Sequence, residues 1–302
     1  MDVRSTAEDA AVTYRYVRVG LVALVVFLLV SLGLTWAHSC LQGSISAFFY
    51  TRTHAVFVAA LCAMGSCLVV YQGSRVGEDA LLNFAGFLAF VVALIPTGSG
   101  GVCQAWLPTV SDPFGATANN MIALFVAAAA GIALYLALDR LRPGQPPPTC
   151  AGSGCAQAPA GWKRLARVLS AIEPWLPRVL FGLVLTGAVL LFWPAFRDRA
   201  HVIAATALFL AITLVAVYHA CYAKAAARTH RARFYAWVAL LMLFTVALTV
   251  VLLVTGAQRG VFFVELALIV LFGVFWAVQT WDVWDLGDRY PEEAVPALAD
   301  VG

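Results

Sequence analysis

Eight apolar stretches, each close to the length that crosses a bilayer, run through this chain: Val17–Trp36, Ala55–Gln72, Leu81–Pro96, Asn120–Leu138, Pro177–Phe196, His201–Cys221, Tyr235–Val254 and Val261–Thr280. A spanning helix needs roughly 17–25 residues. Leu81–Pro96 is the shortest, and Ala80 and Thr97 can extend it. Inside a bilayer every backbone N–H and C=O must be satisfied by the segment itself or by a closed barrel. The apolar–polar alternation of a barrel strand is absent. The pattern therefore predicts an all-α, polytopic transmembrane helix bundle of about eight spans. Composition agrees, with 62% of residues hydrophobic and 12% charged. A soluble domain carries roughly 25% charge, so this chain has too little polar surface to cover itself in water.

Lysine and arginine set the orientation, because cytoplasmic loops carry their excess. With the N-terminus inside, Arg4, Arg15, Arg18, Arg75, Arg140, Arg142, Lys163, Arg164, Arg167, Arg178, Lys224, Arg228, Arg231, Arg233 and Arg289 fall on the inner side. Arg52, Arg197, Arg199 and Arg259 fall outside. Fifteen against four favours an even number of spans and cytoplasmic N- and C-termini. Trp36, Trp106, Trp162, Trp175, Trp193, Trp237, Trp276, Trp281 and Trp284 lie at or near segment ends, where the amphipathic ring prefers the headgroup layer. Ala37-His38-Ser39 loosely resembles a cleavage site, but the apolar run before it exceeds a signal h-region. The first helix thus reads as uncleaved. Seventeen arginines against two lysines, with abundant alanine, fit a GC-rich bacterial genome, and the expected location is a bacterial cytoplasmic membrane.

Residues 143–160, rich in Pro, Gly and Ala, read as a cytoplasmic linker. It divides a four-helix membrane half, 1–142, from a second half, 161–285, and residues 286–302 form a loose acidic tail. Trp162, Leu165, Leu169, Ile172 and Leu176 recur at helical spacing beside Lys163, Arg164 and Arg167. That suits a short interfacial helix; the alternative is an extension of the next span, against which Pro174 and Pro177 argue. Cys40 and Cys103 share the outer side, where they are either bridged or two free thiols. Cys150 and Cys155 make a weak zinc pattern with no histidine near. Cys62, Cys67 and Cys221 read as small packing residues.

No Walker loop, GxGxxG, HExxH, CxxC or GxSxG occurs. Nucleic-acid binding has no support, since topology already accounts for the basic residues. Glu265 is the carboxylate clearly inside a span, four residues from its outer end. Intramembrane acids face protein or water, so it is either functional or an interfacial hydrogen-bonding group. His201, His38 and His54 lie on the same outer side, with Asp112 in the second outer loop. His38, His54, His201 and Glu265 are the candidate ligands if a metal is held at all, and interfacial residues otherwise. The first outer loop, Gln42–Thr51, mixes the hydroxyls of Ser44, Ser46, Tyr50 and Thr51 with Phe48 and Phe49. It suits a lipid headgroup or sugar, or equally a re-entrant turn that plugs the bundle. Asp282, Asp285 and Asp288 read as a solvated acidic tail leaning on Arg228–Arg233, and Glu78 and Asp79 as a similar solvated pair.

Gly43-Ser-Ile-Ser-Ala-Phe-Phe-Tyr-Thr51, with Val56-Phe57-Val58 and the Glu78-Asp79…Asn83…Ala85 run, resembles a group of uncharacterised bacterial membrane proteins with an SISxYYYT-like loop after the first helix. Pro96-Thr97, His201…Ala205…Phe209 and Phe263-x-Glu265…Gly273…Trp276 look like its other markers. The likeness covers about residues 17–97 and 201–280, and 120–196 looks like an insertion into a six-helix plan. Phe48 and Phe49 replace two of its tyrosines. The resemblance carries no activity. It implies that Ser44, Ser46, Tyr50, Thr51, His201 and Glu265 belong to one outward-facing site.

The leading expectation is a site for a lipid or other amphiphile, with His201 and Glu265 on the polar head and the Ser44–Thr51 loop as lid. A small-solute transporter is the alternative, and a hydrolase or transferase with a His/Glu metal site is a third. Membrane lipids are the expected partners, and the chain names no cofactor and no protein partner.

Overall fold

The computed structural model describes residues 3–95, 103, 113–141, 160–256, 260–282 and 284. Among them are nine α-helices, one 3-10 turn and no strand. The helices are α1 Val3–Ala37, α2 His54–Val70, α3 Val76–Leu94, α4 Pro113–Leu141, α5 Ala160–Ile172, α6 Leu176–Leu190, α7 Pro194–Ala225, α8 Thr229–Thr255 and α9 Val261–Asp282. Residues 12–37 of α1, together with α3, α7, α8 and α9, are long and apolar enough to cross a membrane. The α2 helix, residues 118–130 of α4, and α6 are shorter apolar helices. The 143–159 stretch, Cys150, Cys155, Pro96-Thr97, Trp106, Asp112, Arg142, Arg259, Asp285, Asp288, Arg289 and the 286–302 tail lie outside the described residues.

Boundaries depart from the hydropathy reading in several places; the expected Pro177–Phe196 span, for one, is broken at residues 191–193, so α6 ends at Leu190. The third helix grows toward its N-terminus, beginning at Val76, and stops at Leu94. Glu78 and Asp79 sit in its first turn, where carboxylates complement the helix macrodipole, so polar residues are helical here. Arg197-Asp198-Arg199 forms no loop: Pro194 takes the first turn of α7 after an extended Trp193, the position proline is pre-organised for. The interfacial-helix expectation corresponds to α5, separate from α6. It docks through buried Leu169 and leaves Leu165, Val168 and Ile172 exposed.

Six helices close into a ring: α1 packs on α2, α2 on α3, α3 on α7, α7 on α8, α8 on α9, and α9 back on α1. Helices α4 and α6 lie against α3 outside it. The ring therefore takes three helices from each side of the linker, and the two four-helix halves read from the sequence are not its packing units. The pattern on α1 shows how a helix joins such a ring. Leu21, Val25, Leu28 and Leu32 are buried at helical spacing, while Val26, Phe27, Val30 and Leu34 stay exposed. Exposed large apolar side chains recur on α4, α6, α7, α8 and α9. A soluble monomer rarely shows contiguous apolar surface on that scale. Where α2 crosses α3, Gly65 and Gly86 face each other, and a Cβ on either would meet the other's carbonyl oxygen at 2.7 or 2.6 Å.

Non-helical backbone at membrane depth survives only where protein buries it or where it lines a cavity. The segment between α1 and α2 is tied down accordingly. Cys40 and Cys103 form a disulfide, with Cα atoms 6.1 Å apart, which decides between the two readings of that pair. Buried Gln42 donates to the Cys103 carbonyl at 2.8 Å and accepts the Cys103 N–H at 3.0 Å. Phe262 N–H donates to the Gly43 carbonyl at 3.1 Å. The 3-10 turn Ser46–Tyr50 then drops Ile45 and Phe48 into the core, Phe48 lying 6.0 Å from the Phe262 ring. The loop is a plug.

Candidate functional site

Under that plug the ring encloses a cavity of about 170 Å³. All six ring helices wall it: Val25 and Leu28 from α1, Leu61 and Leu68 from α2, Val92 from α3, Phe209 from α7, Val246 from α8 and Phe272 from α9. On α2 the lining runs from Phe57 to Leu68, about 16 Å at 1.5 Å per residue. Polar groups gather at the end nearest the disulfide, where Ser44, Ser46, His201 and Glu265 line the roof. Val202 and Leu253 also line the cavity and are 39% and 40% exposed, so the wall is one side chain thick at these positions.

Glu265 and His201 hold the plug in place. Glu265 Oε2 accepts the Ile45 N–H at 2.6 Å, and the Ser46 N–H also bonds the carboxylate. These are the donors that the start of a 3-10 turn leaves unpaired. Buried His201 puts Nδ1 2.6 Å from the Ile95 carbonyl and Nε2 2.8 Å from Ser46 Oγ. A carbonyl only accepts, so Nδ1 carries the proton. In the neutral ring Nε2 then accepts from the serine hydroxyl. The histidine thus ties the end of α3 to the plug across α7.

Four of the six residues grouped by the resemblance, Ser44, Ser46, His201 and Glu265, share this cavity. Tyr50 and Thr51 are not among its lining. Thr51 Oγ1 donates to the Phe48 carbonyl at 2.7 Å and accepts the Thr53 N–H at 3.3 Å. Tyr50 is buried edge-on against Phe49 at 5.2 Å, and that burial pushes its phenol above the ordinary value. Both serve the plug's own fold. Ser44 Oγ accepts the Ala47 N–H at 3.1 Å while still facing the cavity. His54 Nδ1 donates to the Phe49 carbonyl at 2.7 Å. Among the described residues no three His, Cys, Asp or Glu side chains converge as metal ligands. His38, His54, His201 and Glu265 are therefore not gathered as one ligand set: His201 Nε2 is turned to Ser46, His54 lies against Phe49, and Glu265 holds the plug.

A second polar group fills the opposite end of the ring, and sequence reasoning missed it. Glu78 is fully buried, correcting its reading as a solvated acid. Its Oε1 accepts from His219 Nε2 at 3.0 Å, and its Oε2 accepts the Ser74 N–H at 2.8 Å. The His219 ring is boxed by Tyr222, Tyr235 and Phe275 at 5.4–5.7 Å. Arg18, also fully buried, donates to the Tyr71 hydroxyl at 3.1 Å and lies 5.2 Å from that ring's centroid. Gln279 donates to the same hydroxyl at 2.8 Å. Just outside, Arg75 pairs with Glu173 at 3.0 Å. Asp282 pairs with Arg228 at 3.0 Å and accepts from Tyr235 at 3.2 Å, so the acidic end does lean on the α7–α8 basic turn at this residue. One signal was available: Arg18, His219 and Gln279 interrupt apolar stretches near the same membrane face, and Glu78 stands three residues before another.

No family model, curated protein or solved structure matches this chain.

Proposed function

We propose that this chain is an eight-span protein of a bacterial cytoplasmic membrane, with both termini inside, that binds a single-chain amphiphile in its central cavity from the outer side. The observation that carries this reading is the cavity's division into a long apolar wall and a polar roof. Ligand pockets with that division orient an apolar body by a few placed polar groups. A cavity of about 170 Å³ is close to the ~150 Å³ engineered space that admits benzene, room for the first part of one slender chain and too little for a two-tailed lipid. The disulfide at the roof end supports an oxidising, outer environment there. The basic residues at the other end support a cytoplasmic one. Transport draws less support, because the buried polar residues of the basic end, Arg18, Tyr71, Glu78, His219 and Gln279, are not among those that line the cavity.

The test is saturable binding of an environment-sensitive dodecyl probe to full-length protein in nanodiscs, alongside Ala205→Trp, which fills the cavity. Loss of saturable binding in a folded Ala205→Trp variant supports the reading. Equal binding by both proteins refutes it.

A further inference from the structure

We infer that the cavity selects amphiphiles with a cationic amine head, and that Glu265 is the residue that selects them; this rests on the binding reading above. The roof offers a carboxylate and two serine hydroxyls, and among the described lining residues there is no lysine or arginine. The histidine present is not available as a cation to a ligand. Its Nδ1 is committed to the Ile95 carbonyl and its Nε2 to Ser46. An anionic head entering the cavity would meet Glu265 with nothing to neutralise either charge, and an unpaired buried charge is strongly disfavoured.

Glu265 suits the opposite sign. Its carboxylate is steadied by two backbone N–H groups of the plug, and the side chain lines the cavity. A carboxylate has about four lone-pair sites, so two N–H bonds leave acceptor capacity. An alkylammonium has three donors, enough to bond Glu265 together with Ser44 and Ser46 Oγ, the three acceptors that line the roof together. Its chain would then run along the apolar wall toward Leu68 and Phe272. A hydrogen bond to an ionised group exceeds a neutral one by enough to give about ten- to a hundredfold in affinity.

The experiment compares dodecylamine, dodecanol and dodecanoate as competitors of the dodecyl probe at neutral pH, on wild type, Glu265→Gln and Ala205→Trp in nanodiscs. The Ala205→Trp trace subtracts partition into lipid. The expected order is amine over alcohol by about tenfold or more, with dodecanoate weakest. In Glu265→Gln, whose amide oxygen still accepts from the plug, the amine should lose its advantage and fall to the level of the alcohol or below it. If Glu265→Gln does not fold, the wild-type order alone decides. Equal or tighter binding of dodecanoate, or an amine preference that survives in Glu265→Gln, overturns the assignment while the cavity reading stands. Failure of all three to compete overturns the cavity reading itself.

Discussion

Removing the imidazole of His219 should destabilise this protein more than neutralising its partner. Glu78 is fully buried, and His219 Nε2 donates to it at 3.0 Å. In His219→Ala the carboxylate stays buried with the Ser74 N–H and Tyr222 around it. Breaking one side of a buried pair in this way costs about 3–5 kcal/mol. In Glu78→Gln the amide oxygen still accepts from His219 or Ser74, and only the charge assistance is lost, about 1–2 kcal/mol. Once Glu78 is neutral, losing His219 no longer strands a charge. The double variant should therefore fall short of the sum of the two by about 1–3 kcal/mol. The cycle also removes the packing loss against Tyr222, Tyr235 and Phe275, which both legs share. Equilibrium unfolding in mixed detergent micelles, followed by far-UV circular dichroism, measures all four proteins. A His219→Ala cost below about 1 kcal/mol, or singles that add within about 0.5 kcal/mol, would refute the buried-pair argument.

The disulfide closes a sequence separation of 63 residues, so Cys40→Ser with Cys103→Ser should lower stability by about 4 kcal/mol on the loop-entropy scale. In right-side-out vesicles a membrane-impermeant reductant should open it from outside; protection there and opening in inverted vesicles would reverse the orientation. Gly65→Ala places a Cβ 2.7 Å from the Gly86 carbonyl oxygen, well inside the 3.4 Å where ordinary contact begins. The α2–α3 crossing must widen, at about 1–3 kcal/mol, and an unfolding midpoint equal to wild type would show that the two backbones do not approach so closely. Ala227 holds φ 58° in the α7–α8 turn, a left-handed conformation that costs a residue with a Cβ about 1–2 kcal/mol. Ala227→Gly should therefore raise the unfolding midpoint by the equivalent of about 0.5–1 kcal/mol, and a fall would contradict that geometry.

Helix positions were legible because the bilayer requirement acts on each segment separately. The apolar stretches from Val17 to Thr280 fall mainly on helices, although Pro177–Phe196 is broken at residues 191–193. At Val76 and Pro194 the first-turn carboxylates and the first-turn proline outweighed hydropathy in setting the boundary. The roof was partly legible: Ser44, Ser46, His201 and Glu265 were singled out as polar residues beside one membrane face. Their roles were not. Whether a hydroxyl faces a cavity or a carbonyl, as those of Ser44 and Thr51 do respectively, depends on a turn of the plug that side-chain type does not encode.

Glu78 and His219 show the same limit more sharply. They stand 141 positions apart, and each alone has an ordinary explanation as a loop acid or a packed histidine. Hydropathy and charge are sums over neighbours in the chain, so they reach helix content and the side on which basic residues gather. Pairing depends on which helices become neighbours in space. The closure of α3 against α7 and of α9 against α1 turned scattered polar residues into a buried hydrogen-bonded pair at one end and a roofed cavity at the other. That closure is a matter of side-chain packing between distant segments, which no local pattern records.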